Sequence, residues 1–118
     1  MLLCIIARQL KIGKIGGTYT LMYEIEYTPQ AIEDLQFFRK NDQKQILDNI
    51  EIQLQYEPTV ETRNRKQMRP NDLAAWELRI GKFRILYNVD EVVLIVEVQR
   101  IGEKQGNAFL FRGQQEDV

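Results

Sequence analysis

Trp76-Glu-Leu-Arg-Ile-Gly-Lys-Phe-Arg-Ile-Leu-Tyr87 alternates apolar and polar residues on both sides of Gly81-Lys82. A period of two is that of a half-buried strand, and two such runs joined by a Gly-containing pair make a β-hairpin. Gly at the first central position suits a type II′ turn, whose twist matches the flanking strands. The loop length predicts a register in which Ile80 faces Phe83, Leu78 faces Ile85 and Trp76 faces Tyr87, all on one apolar face. On the other face Arg79 then lies opposite Arg84. Like charges directly across a strand pair are destabilising. A chain that keeps two guanidiniums together offers the site to an anion, and phosphate is the obvious candidate. The alternative is a cation pair neutralised in place by Glu77 and Glu97.

A third strand, Val92–Val98, follows a turn at Asp90-Glu91. With a two-residue loop, Tyr87 would face Leu94, Ile85 would face Val96, and Arg84 would face Glu97. Upstream, Tyr23-Glu-Ile-Glu-Tyr27 alternates as a strand, and Thr28-Pro29 opens a helix with a good N-cap and a proline in the first turn. Glu33 and Asp34 sit near its positive end. Ala31, Ile32, Leu35 and Phe38 form its apolar stripe. Asn41-Asp42 breaks and recaps the chain, and Ile46, Leu47, Ile50 and Leu54 mark a second helix ending before Glu57-Pro58. Residues 57–73 read as a polar, basic loop, and the tail from Arg112 as polar and frayed. The order β-α-α-β-β-β predicts an α+β fold, a helical hairpin covering one face of a small, mostly antiparallel sheet. The opposite face would carry Glu77, Arg79, Arg84 and Glu97 together with Leu86 and Ile95, apolar enough to mark an interface.

The chain has 118 residues and a formal net charge of −1, the size of one domain with a modest core. Charge is unevenly placed. Residues 22–61 carry nine acids and three bases, whereas residues 62–84 carry seven bases and two acids. That pattern points to a local anion site rather than a general nucleic-acid coat, the bland reading being a solvated charged face. The single Cys4 cannot form an internal disulfide, which fits a reducing cytoplasm. The absence of histidine removes the commonest acid–base and metal-ligand side chain. No metal or cofactor is expected, and Leu2–Ala7 is too short for a membrane span. Residues 1–21 stand apart, with three bases, no acids and a loop-like Gly13-Lys-Ile-Gly-Gly17. They read as an N-terminal extension ahead of a natural start at Met22, with residues 22–118 forming the domain. The alternative is an extra strand or docking arm built on Leu2–Ile6.

The Tyr23–Ala31 stretch, the Trp76–Tyr87 hairpin ending in Phe-Arg-Ile-Leu-Tyr, and Arg100-Ile-Gly-Glu-Lys104 together resemble the RelE/ParE toxin family of prokaryotic toxin–antitoxin systems. The likeness runs from about Met22 to Phe111. It implies a cognate antitoxin as partner and one of two activities: mRNA cleavage on the ribosome, or poisoning of DNA gyrase without nuclease chemistry. The RNA-cleaving members use the 2′-hydroxyl as nucleophile without a metal, and need a proton acceptor, cations around the phosphate and an acid for the leaving oxygen. By resemblance, Arg79, Arg84 and Lys104 match the family's basic positions. Phe109 stands where such members often carry Tyr or His. Arg79 cannot act as a base, and Phe109 can neither donate nor accept a proton, so Glu77 or Glu97 would have to supply the base. Glu97 has the alternative role of screening Arg84. Arg63, Arg65, Lys66 and Arg69 are expected to hold RNA backbone or an acidic antitoxin tail, contacts that set affinity rather than sequence preference. The leading expectation is an mRNA endonuclease toxin. The alternatives are a gyrase-binding toxin, or a degenerate member that serves only as antitoxin partner.

Overall fold

The computed structural model describes residues 12–118. Strands β1 (Ile12–Ile15) and β2 (Thr18–Leu21) form a hairpin of their own. The Gly13–Gly17 stretch, read as loop, thus supplies a strand and its turn. The suggested strand at Leu2–Ile6 lies outside the described residues. The main sheet contains β3 (Glu24–Tyr27), β4 (Arg65–Gln67), β5 (Trp76–Ile80), β6 (Phe83–Asp90), β7 (Ile95–Gln105), β8 (Ala108–Phe111) and β9 (Gln114–Glu116). The order is β4-β5-β6-β7-β8-β9, antiparallel throughout, with β3 joining β7 in parallel. Helices α1 (Pro29–Phe37) and α2 (Lys40–Leu54) cover one face. The expected α+β architecture, two helices on a mostly antiparallel sheet, is the one observed.

Helix α1 starts as its sequence dictates. Thr28 Oγ1 accepts from the Ala31 amide at 3.1 Å and donates to the Gln99 carbonyl at 2.8 Å, so the cap also ties the helix to β7. The break between the helices falls at Phe38-Arg39, earlier than Asn41-Asp42. Phe38 leaves the helix in extended conformation because its ring enters the core against Phe83. Ala31, Ile46, Ile50 and Leu54 from the helices pack on Leu78, Ile85, Tyr87, Val96, Val98 and Ile101 of the sheet. Ile32, expected in the stripe, is 44% exposed.

The β5–β6 hairpin has the register expected of it, with Ile80 on Phe83, Arg79 on Arg84 and Trp76 on Tyr87. Gly81 takes φ +55°, the left-handed value a II′ turn needs at that position. The β6–β7 register differs from expectation. Tyr87 faces Val98, Asn88 faces Glu97, and Arg84 faces Gly102, with a bulge between Leu86 and Tyr87. The cause is the turn. Asp90 accepts from the Val92 and Val93 amides, and Leu94 takes φ +56°, so the loop spans residues 91–94 instead of two residues.

Two further expectations are corrected. Leu86 is fully buried, in a second apolar cluster with Ala74 and Phe111 flanked by Met68, Leu73, Phe109 and Val118. It therefore marks no exposed patch. The tail is not frayed: β9 pairs with β8, and Glu116 bonds Arg100 while Arg112 bonds Glu33 and Asp34.

Candidate functional site

A groove of about 180 Å³ opens where β4, β5, β7 and β8 meet, lined among others by Lys66, Arg69, Glu77, Arg79, Lys104 and Phe109. Each side chain arrives by strand geometry. Lys66 faces Glu77 across the β4–β5 pair, Arg79 lies two residues along the same face of β5, and Lys104 faces Phe109 across β7–β8. Arg69 is carried by a loop that Asn71 organises. The Asn71 side chain accepts from the Leu73 and Ala74 amides and donates to the Arg69 and Ala74 carbonyls. The groove therefore gathers four cations around one carboxylate.

Glu77 is buried and shared. Its Oε1 accepts from Arg79 Nε at 2.7 Å and lies 3.6 Å from Arg84 Nε. Arg84 stands beneath the groove instead of lining it. Its Nη1 donates to the Gly81 and Phe83 carbonyls at 2.6 and 2.9 Å, while its Nε is buried with no hydrogen-bond partner. Burial pulls its pKa below the ordinary arginine value. Glu77 opposes that shift and neighbouring Arg79 adds to it. Gly102, opposite Arg84, leaves room that Phe111 fills: a Cβ there would come within 2.5 Å of the Leu110 carbonyl and 2.7 Å of the Phe111 ring. The strand continues through Gly102 to Gln105.

The expected site residues thus divide. Glu77, Arg79, Lys104, Lys66 and Arg69 converge, with Arg84 propping the floor. Glu97 is not among them. The longer β6–β7 turn moves it opposite Asn88, beside Glu26 on β3, where it accepts from the Gln99 side chain. It neither screens Arg84 nor reaches the groove as a base. Arg65 is not an exposed backbone-binding cation. It is 7% exposed, and its guanidinium donates to the Val60 and Gln53 carbonyls at 2.9 and 2.7 Å, tying the loop to the end of α2. Arg63 is exposed but does not line the groove. Met68 and Asn71 were not singled out from the sequence. The Pro70-Asn71-Asp72 turn chemistry was the available signal for Asn71, and Met68 had none. Among the described residues no group of three His, Cys, Asp or Glu side chains could hold a metal ion, and no helix is long and apolar enough to cross a membrane.

Solved structures with this architecture are toxin–antitoxin proteins. The RelBE2 complex of Mycobacterium tuberculosis matches with a TM-score of 0.62 at 23% identity, covering 70% of this chain and 92% of that one. The archaeal RelE–RelB complex of Pyrococcus horikoshii matches with a TM-score of 0.59 at 20% identity, covering 75% and 100%. The RelBE complex of E. coli matches with a TM-score of 0.55 at 15% identity, covering 70% and 98%. At these identities the likeness is one of fold, and it defines the class as a RelE-like toxin fold. Residues 25–105 match the sequence model of the ParE toxin of the type II toxin–antitoxin system parDE, and the chain belongs to this RelE/ParE toxin family. A comparison with curated protein sequences finds no match.

Proposed function

We propose that this toxin cleaves mRNA on the ribosome, without a metal, and that a cognate antitoxin in the same cytoplasm holds it silent. The observation that carries the reading is the groove itself. Lys66, Arg69, Arg79 and Lys104 surround a single buried carboxylate, an excess of cations that a phosphodiester would balance. In the reaction Glu77 takes the proton of a ribose 2′-hydroxyl, and the freed oxygen attacks the adjacent phosphorus. The bond from phosphorus to the 5′-oxygen breaks, leaving a 2′,3′-cyclic phosphate, and the leaving oxygen takes a proton from Lys104. Arg79 stabilises the charge that builds on the phosphoryl oxygens. Arg84 is a positioning residue that holds the hairpin turn and the Glu77 side of the groove.

A specific observation favours a second reading. The family match is to ParE toxins, and Phe109, unable to move a proton, lines the groove. In that reading the chain binds DNA gyrase and catalyses nothing. The experiment is to add purified toxin, freed of antitoxin, to a translation extract and to a gyrase supercoiling assay. The nuclease reading expects new mRNA 5′ ends that vanish with Glu77→Gln. Inhibited supercoiling with intact mRNA transfers the function to gyrase. Inactivity in both, with antitoxin binding kept, leaves a partner protein alone.

A further inference from the structure

Residues 106–118 lie beyond the stretch matched to the toxin family, 25–105. They nevertheless build a second hollow beside the groove, about 470 Å³, at the end of β7 and along β8 and β9, with Asn107, Gln115 and Asp117 in its lining. Arg69, Lys104, Phe109 and Val118 line both hollows and so form the wall between them.

We propose that the second hollow is a nucleotide subsite. Consecutive nucleotides of single-stranded RNA occupy the two hollows, the phosphate between them rests on Arg69 and Lys104, and a base stacks on Phe109. The assignment rests on the RNA reading above and adds to it where the substrate runs. The dividing wall has the composition that single-strand binding needs, cations for the backbone and a π-face for a base. The Phe109 ring is braced for the task. It lies nearly parallel to Phe111, at 9° with centroids 6.2 Å apart, and Phe111 is itself buried under the Arg100 guanidinium at 4.3 Å. A ring held this way loses little freedom when a base settles on it. Lys104 Nζ stands 5.3 Å from the same ring centroid, next to where the backbone of a stacked nucleotide would pass.

The edge of the second base meets acceptors. Both carboxylate oxygens of Glu116 are taken by Arg100, at 3.2 Å each. Asp117 has no ion-pair partner among the described residues and stands in the lining with acceptor oxygens only. It favours a base with an exocyclic amino group over uracil.

The test uses the full chain and fluorescent 2′-O-methyl oligonucleotides, whose blocked hydroxyl prevents cleavage. Adding a second nucleotide to a mononucleotide should tighten binding by roughly ten-fold, the scale of one stacked base. Phe109→Leu, which keeps apolar packing on Phe111 but has no π-face, should lose most of that gain while mononucleotide binding holds. An equal gain in both proteins overturns the subsite and leaves the RNA reading standing. No binding of any oligonucleotide to the unaltered protein at low salt overturns the RNA reading and the subsite with it. Adenine at the second position should bind several-fold tighter than uracil, and Asp117→Ala should erase the difference. Indifference to the base in the unaltered protein removes Asp117 from recognition.

Discussion

Two carboxylates in this molecule are each shared by two arginines, and they are arranged for opposite purposes. Asp34, on α1, is fully buried and fully used. It accepts from Arg100 at 2.7 and 3.2 Å and from the Ile101 amide at 3.0 Å, and it pairs with Arg112 Nε at 3.1 Å. Arg100 in turn takes Glu116 and stacks on Phe111. Its hydrogen bond to Asp34 raises its pKa further above the ordinary value, against the pull of burial. Glu77, on β5, sits between Arg79 and Arg84 but satisfies neither completely. Arg84 Nε has no hydrogen-bond partner, the Arg79 side chain is 42% exposed, and Lys66, Arg69 and Lys104 crowd the same groove. The first cluster is closed, a clamp joining α1, β7 and the C-terminal strand. The second is one anion short. Charge count alone does not separate a structural ion pair from a binding site; the number of donors left over does.

The largest expected effect falls on the closed cluster. Asp34→Ala strands Arg100 in the interior, and breaking a buried pair from one side costs about 3–5 kcal/mol. Urea unfolding should show that loss, with toxicity falling only as far as the folded fraction does. A loss under about 1 kcal/mol would mean that the clamp is dispensable and the contrast drawn here is empty.

Glu77→Gln should behave the other way round. One hydrogen bond to a charged group is weakened, about 1.5–3 kcal/mol at the most, and the half-exposed Arg79 remains solvated. Cleavage should fall by roughly 10²–10⁴, the usual contribution of a positioned base. Mapping mRNA 5′ ends beside a melting curve separates the two quantities. Unchanged cleavage by a folded Glu77→Gln protein removes Glu77 from the chemistry.

The arginines of the open cluster sharpen the comparison further. Arg84→Ala gives up two hydrogen bonds to the hairpin turn but also removes an unsatisfied Nε and the repulsion with Arg79, so stability should change by no more than about 1 kcal/mol. Toxicity should still drop, by about 10²–10³ in cleavage rate if the groove needs the preorganised charge. Arg79→Ala should act on binding. One fewer phosphate contact lowers the salt slope of single-strand affinity by about 0.7. A salt slope unmoved by Arg79→Ala would place the RNA backbone elsewhere.

What the sequence disclosed of these clusters follows from the physics of each. The β5–β6 hairpin was legible because alternation and a glycine at a φ-positive turn position determine register together. The β6–β7 register was not, because an aspartate side chain builds that turn, and nothing in the composition of Asp90-Glu91 counts its residues. This one misreading carried Glu97 into the site. Arg65 was misplaced for a different reason. A basic residue in a basic loop looks solvated, and only the fold reveals that backbone carbonyls of Gln53 and Val60 satisfy it indoors. The Asp34–Arg100 clamp was missed because its partners are separated by 66 residues, and β9 because Gln114-Gln-Glu116 has no apolar alternation to announce a strand. Convergence of Lys66, Arg69, Arg79 and Lys104 was readable in part, since the hairpin and the family resemblance located three strands of the groove. Phe109 was readable as a departure from chemistry, not as a wall between two hollows.

The smallest expected effect concerns the segment that joins neither cluster. Strands β1 and β2 pair only with each other, and Ile12, Ile15, Tyr19 and Leu21 are each 45% or more exposed. A two-stranded hairpin alone is marginal in water. Its closest tie to the body is Gly13, where a Cβ would come within 2.6 Å of the Tyr56 hydroxyl at the end of α2. A chain beginning at Met22 keeps β3, its pairing with β7 and both charge clusters. It should unfold within about 2 kcal/mol of the full chain, less than one large buried side chain contributes, and its cleavage or gyrase activity should be unchanged. A greater loss in urea would make residues 1–21 part of the core and end the reading of Met22 as the natural start.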